Sequence, residues 1–201
     1  MTEENSYRPP NPDIPSPLKG DIFIKRHAAV CGGISWPVSY KSPAYICILG
    51  QSYYDSNAMN NPTEDNVHAG PRFLIVESES REPSLLEFWE RVIILAKQSL
   101  CKSFYSYMPT DRLGEGYLKD FYRIATEQNA TVHLCDDQNN FEFGFSKIVN
   151  NIINGSVIIP SKSIVGKQLL TITSRDLKHN PERSFYAISA LGHIFSNFAN
   201  D

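Results

Sequence analysis

The sequence has no apolar run approaching the roughly 18 residues of a membrane-spanning helix, so no membrane association is expected. It has no basic excess either: 19 Lys and Arg stand against 22 Asp and Glu, for a net charge of -3. A protein whose whole surface grips nucleic acid usually carries a plain basic surplus, so any such contact here must be local. Cysteine is scarce. The four thiols, Cys31, Cys47, Cys101 and Cys135, form no Cys-x-x-Cys pair and have no zinc spacing with histidine. Cys47 and Cys135 lie inside the apolar runs "AYICILG" and "TVHLC", which reads as buried, reduced thiols. There is no nucleophile elbow, and Gly32-Gly33 is too short for a phosphate loop. The absence of a Walker motif excludes an ATP-driven motor within the chain. There is no internal repeat. The opening "MTEENSYRPPNPDIPSP" is acidic and proline-rich, without the basic and apolar regions of a secretory leader, so a cytoplasmic location is expected.

What is present is a chain of 201 residues, 41% hydrophobic, enough for one sizeable core. Residues 1–19 hold five prolines and little apolar surface, so they read as a flexible arm before a single domain over 20–201. "DIFIKRHAAV" begins ordered structure as a strand, and "CGGISWPVSYKSP" after it reads as irregular from its paired glycines and two prolines. "AYICILGQ" suits a strand buried on both faces. "SYYDSNAMNNPTEDNVHAG" reads as a long polar loop, and "PRFLIVESES" as the antiparallel partner strand. Ser84 and Glu87 form a capping box opening a helix with apolar residues at Leu85, Phe88, Trp89, Val92, Leu95 and Ala96. "SFYSYM" is a strand, and Tyr117 to Ala125 a second helical stripe. "ATVHLC" is a strand closing at Asp136-Asp137, with His133 packed within it. Phe141 to Ile152 predicts a helix stopped by Gly155. A short apolar segment "SVIIP" and a short helix over "SIVGKQLLTIT" follow. Asn180-Pro181 predicts the N-terminus of the last helix. Antiparallel strands followed by alternating strands and helices define an α/β fold, a mixed sheet flanked by helices on both faces.

This order resembles that of the ribonuclease-H-like superfamily. More narrowly, residues 44–198 resemble the nuclease domain of the large terminase subunit of tailed bacteriophages. The segments that carry the likeness begin with "PAYICILG" and "RFLIVES" as a hairpin, and "LLEFWERVIILAKQSLCKSFYSYMPTD" as helix and fourth strand. They continue with "GYLKDFYRIATEQNATVHLCDD", "FEFGFSKIVNNIINGSVIIP" and "PERSFYAISALGHIFSNF". The resemblance implies a two-metal phosphodiester hydrolase whose Mg or Mn ions are held by three acids. These stand on the first core strand, at the end of the fourth strand and on the closing helix. It further implies double-stranded DNA and phage packaging proteins as partners, and a host-cytoplasmic location.

At two of those three positions the expected acids are missing, and at the third, the end of the fourth strand, the acid comes late, where a turn would have to fold it back. "YICILGQ" holds none, and Asp21 would open the sheet only if "DIFIKRH" were the first strand, at the cost of a long irregular insertion. Asp111 comes late after the fourth strand, and Ile188-Ser189-Ala190 occupy the middle of the closing helix. The expectation is therefore a terminase-nuclease-like protein without a complete metal site and with no resident cofactor. The alternatives are a metal-dependent endonuclease using relocated acids and a noncatalytic protein-interaction module. Candidate catalytic acids are Asp111, Glu77 and Asp55, with Asp111 and Glu77 as metal ligands and Glu79 and Glu87 in reserve. Glu77 and Glu79 alternate on a strand and share a face. Asp136-Asp137 at a strand end reads as turn chemistry. Between Ser161 and Arg183 five basic residues (Lys162, Lys167, Arg175, Lys178 and Arg183) face two acids, a local surplus suited to phosphate contact.

Overall fold

In the computed structural model of the protein the described residues are 24–37, 43–55, 67–81, 84–106, 115–136, 140–178 and 184–197. Strands β1 (Ile24–Ser35), β2 (Ala44–Asp55) and β3 (Val67–Ser80) form an antiparallel meander. Helix α1 (Leu85–Ser99) leads to β4 (Ser103–Ser106), α2 (Glu115–Glu127) to β5 (His133–Asp136), and α3 (Phe141–Ile153) to β6 (Val157–Ile158). Helix α4 (Ile164–Thr171), a 3-10 turn at Asp176–Lys178 and helix α5 (Tyr186–Asn197) complete the order. The strands lie in one sheet in the order β5-β4-β1-β2-β3-β6, with β4 parallel to β1 and β5, and β6 parallel to β3. This is a mixed α/β sheet with helices on both faces.

Alternation along the strands divides the interior into two cores. Ile34, Trp36, Ala44, Ile46 and Ile48 pack against α1 and α2. Cys31, Tyr45, Cys47 and Leu49 point the other way, against α3, α4 and α5. A strand buried on both faces needs apolar side chains at every position, and "AYICIL" supplies them. In the first core Trp36 stacks on Phe121 at 5.6 Å and 3°, Trp89 stacks on Phe121 at 4.9 Å, and the Trp89 Nε1–H donates to the Phe121 carbonyl at 2.7 Å. The Ser84–Glu87 capping box forms as expected: Glu87 N–H donates to Ser84 Oγ at 3.2 Å, and Ser84 N–H to Glu87 Oε2 at 2.9 Å. Accepting from Ser84 holds the Glu87 carboxyl below its ordinary value. Gly155 lies just past α3 with φ +70, the left-handed conformation that glycine adopts without strain.

Four expectations need correction. The first strand is β1, so "AYICILGQ" is the second, and no long insertion separates it from the sheet. The run "CGGIS", expected to be irregular, completes β1 because its glycines serve close approach and not a turn. A Cβ on Gly32 would stand 2.3 Å from the Phe104 ring, and one on Gly33 2.0 Å from the Ala190 carbonyl oxygen. The expected polar loop after β2 is shorter than its sequence suggested, because 52–55 and 67–70 extend the hairpin. His133 is exposed and not packed, since β5 is an edge strand bonded to β4 alone. Asp21, the Asn180-Pro181 helix start and the proline-rich arm lie outside the described residues.

Candidate functional site

The ladder shows which described residues of β1, β4 and their neighbours share one face beneath α5. One row crosses the sheet as Cys135, Tyr105, Gly33, Cys47 and Glu77, on the face covered by α5. The β1 sequence "IKRHAAVCGGIS", the β4 sequence "SFYS" and the α5 sequence "YAISALGHIFSN" contain no carboxylate. Where β1 meets β4 on this face the residues are Gly33 and Tyr105, and the α5 backbone at Ala190 sits so close to Gly33 that not even a methyl group fits between them. A hard divalent ion needs several oxygen ligands, preferably carboxylates. Among the described residues these three elements supply none, and no group of three or more His, Cys, Asp or Glu side chains could hold a metal ion. The described residues by themselves therefore do not supply a site for the metal ions that the resemblance implies.

The acids singled out in the sequence are scattered. Asp111 and Asp137 lie outside the described residues. Asp55 ends β2 opposite Val67, at the start of β3, whereas Glu77 lies ten residues further along β3. At about 3.3 Å per residue the two positions are roughly 30 Å apart, too far to share an ion. Glu77 faces the α4 side, where Tyr45 Oη donates to its Oε2 at 2.6 Å. The backbone N–H of Ile164 reaches its Oε1 at 2.8 Å and Oε2 at 3.0 Å, and that of Val165 its Oε2 at 3.5 Å. The carboxylate thus caps the N-terminus of α4, where unpaired amides and the helix dipole favour negative charge. Burial, with Glu77 alongside, pushes the Tyr45 hydroxyl far above its ordinary range. Glu79, opposite Tyr45 in the ladder, hydrogen-bonds Tyr186 and lies 3.8 Å from Arg81. Glu87 is committed to its capping box.

Reading the sequence missed two further members of this arrangement. Tyr45 looks like one apolar residue among others. Gln168, on α4, accepts from the N–H groups of Ala187 at 3.0 Å and Ile188 at 3.2 Å, so α4 caps α5 as β3 caps α4. The signal that was available is strand alternation, which puts Glu77 on the face of Cys47 and so against helices instead of solvent.

The basic segment is built on the same helix. Lys162 precedes the N-cap Ser163, whose Oγ accepts from Gly166 N–H at 2.9 Å. Lys167 lies on α4 and Arg175 just beyond it, and all three cations are exposed. Lys178 ends the 3-10 turn, and Arg183 lies outside the described residues.

Neither a protein-family profile nor a curated protein sequence matches the chain. Solved structures do. The crystal structure of the large terminase nuclease from thermophilic phage G20c with bound zinc matches with a TM-score of 0.52 at 11% identity, covering 86% of this chain and 82% of that one. The large terminase from a second thermophilic bacteriophage matches with a TM-score of 0.53 at 7% identity, covering 84% of this chain and 39% of that longer one. The sheet and helices thus define the fold of phage large-terminase nucleases. Among the described residues no helix is long and apolar enough to cross a membrane.

Proposed function

We propose that this chain is a phage DNA-packaging protein of the host cytoplasm that binds duplex DNA through its α4 segment and lacks a complete metal site. The observation that carries this reading is the α5 backbone seated on Gly33, with no carboxylate on β1, β4 or α5, in a fold similar to that of a solved terminase nuclease. The exposed Lys162, Lys167 and Arg175 support a phosphate contact, extended by Lys178 and Arg183 along the same segment. Packaging proteins of the phage are the corresponding protein partners.

The test is incubation with supercoiled plasmid in Mg²⁺ and in Mn²⁺, beside an Asp111→Ala variant, with duplex retention measured over a salt series. The expected result is no cleavage, and retention whose log–log salt slope becomes shallower by roughly 0.9 for each of Lys162, Lys167 and Arg175 that is changed to Gln. Cleavage abolished by Asp111→Ala would overturn the reading in favour of an endonuclease with relocated acids. Neither cleavage nor retention would leave a noncatalytic interaction module.

A further inference from the structure

The strongest unassigned arrangement in the molecule is the three-tier stack in which β3 holds α4 and α4 holds α5. Glu77 lies 87 residues before Ile164 in the chain, yet its two oxygens take the Tyr45 hydroxyl and the first amides of α4. Helix α4 has eight residues, fewer than an isolated helix needs for stability in water. Its placement must come from contacts outside itself. Val165 and Gly166 are buried, and a Cβ on Gly166 would stand 2.1 Å from the carbonyl oxygen of Pro160, so the turn into the helix closes tightly on its first residues. Lys162 and Lys167 flank that turn and point outward.

We infer that Glu77 is a positioning residue for duplex DNA: its carboxylate latches the N-terminus of α4 to the sheet and so sets the outward presentation of Lys162 and Lys167. This rests on the DNA-binding reading above and adds the residue that organises the contact without touching it. The carboxylate complements the helix N-terminus electrostatically, and Tyr45 fixes its orientation from the neighbouring strand. Removing the carboxylate keeps both lysines in the chain but loosens the helix start that lies between them. A flexible cation neutralises phosphate less effectively than one held in register, so affinity and salt slope both fall.

The experiment compares the wild-type chain with Glu77→Ala and Glu77→Gln, in amide hydrogen exchange and in duplex binding across a salt series. Exchange at Ile164 and Val165 should quicken about tenfold or more in Glu77→Ala, on the scale of removing one charge-assisted hydrogen bond. The salt slope should fall by up to about two units, the share of two lysines on phosphate. Glu77→Gln keeps a carbonyl acceptor for the Ile164 amide and should restore most of the protection. Combining Glu77→Ala with Lys162→Gln and Lys167→Gln should weaken binding little beyond the lysine changes alone, a non-additivity that general destabilisation would not produce. Unchanged exchange at Ile164, or a wild-type salt slope in Glu77→Ala, would overturn the inference while the binding reading stands. A wild-type chain that retains no duplex at low salt would overturn both.

Discussion

For individual side chains, burial decides the chemistry of the thiols. Cys31, Cys47 and Cys101 are buried and Cys135 is half-buried, and loss of hydration raises all four above the ordinary thiol value. Cys101 is pushed from 9.0 up to about 12 against a small opposing effect from its contact with the Ser103 backbone. Its thiolate fraction at pH 8 is on the order of one part in ten thousand, and the thiolate is the reactive form. With a neutral aromatic disulfide reagent at pH 8, Cys135 should react first, and the other three only at the rate of unfolding. The same shifts carry a sign for stability. A group whose pKa rises on folding contributes fully below its unfolded value and loses that contribution as pH climbs through its folded one. Thermal stability should therefore decline above pH 9.0, the unfolded reference, and not below it. Rapid labelling of more than one thiol in the folded chain at pH 8 would contradict this account.

Among the helices, α1 has unequal ends. Its start has a complete capping box, whereas its end is closed by Leu100 with φ 58 and ψ 22, a left-handed conformation in a residue that is 80% exposed. A β-carbon in that region costs roughly 1–2 kcal/mol, and an exposed leucine returns little burial to offset it. Glycine at this position removes the clash and gives up about 0.5–1 kcal/mol through the freer unfolded chain. Leu100→Gly should therefore stabilise the protein by a fraction of a kcal/mol to about 1 kcal/mol, read as an upward shift of the urea midpoint at unchanged m-value. A lowered midpoint would mean that Leu100 makes contacts of greater worth than its exposure implies. The capping box of α1 was legible because its signal is local, three residues apart. The two seats of α4 and α5 were not. A carboxylate on a strand looks the same whether it meets an ion or the amides of a helix 87 residues away. The glycines of β1 look like a turn until Phe104 and Ala190 are brought against them.

Across the entire fold, the order of elements could be read from hydrophobic period alone, because buried strands and amphipathic helices leave different spacings. Which strand comes first could not, since it depends on pairing between β1 and β4, some seventy residues apart. That pairing also bears on whether residues 20–201 act as a single domain. The two cores lie on opposite faces of one sheet, and adjacent residues of β2 belong to different cores: Ile46 and Ile48 to one, Tyr45, Cys47 and Leu49 to the other. Losing α3, α4 and α5 would expose Tyr45, Cys47 and Leu49 on a strand still needed by α1 and α2, so neither layer can melt at little cost to its neighbour. The expected behaviour is one cooperative transition. The chain offers a natural test, because both of its tryptophans, Trp36 and Trp89, lie in the α1–α2 core. Indole fluorescence follows that face alone, while far-ultraviolet circular dichroism follows helices on both. In a urea titration the two curves should superimpose in midpoint and slope. A dichroism loss that precedes the fluorescence change would divide the chain into two folding units and place α4, with its exposed Lys167, on the weaker one.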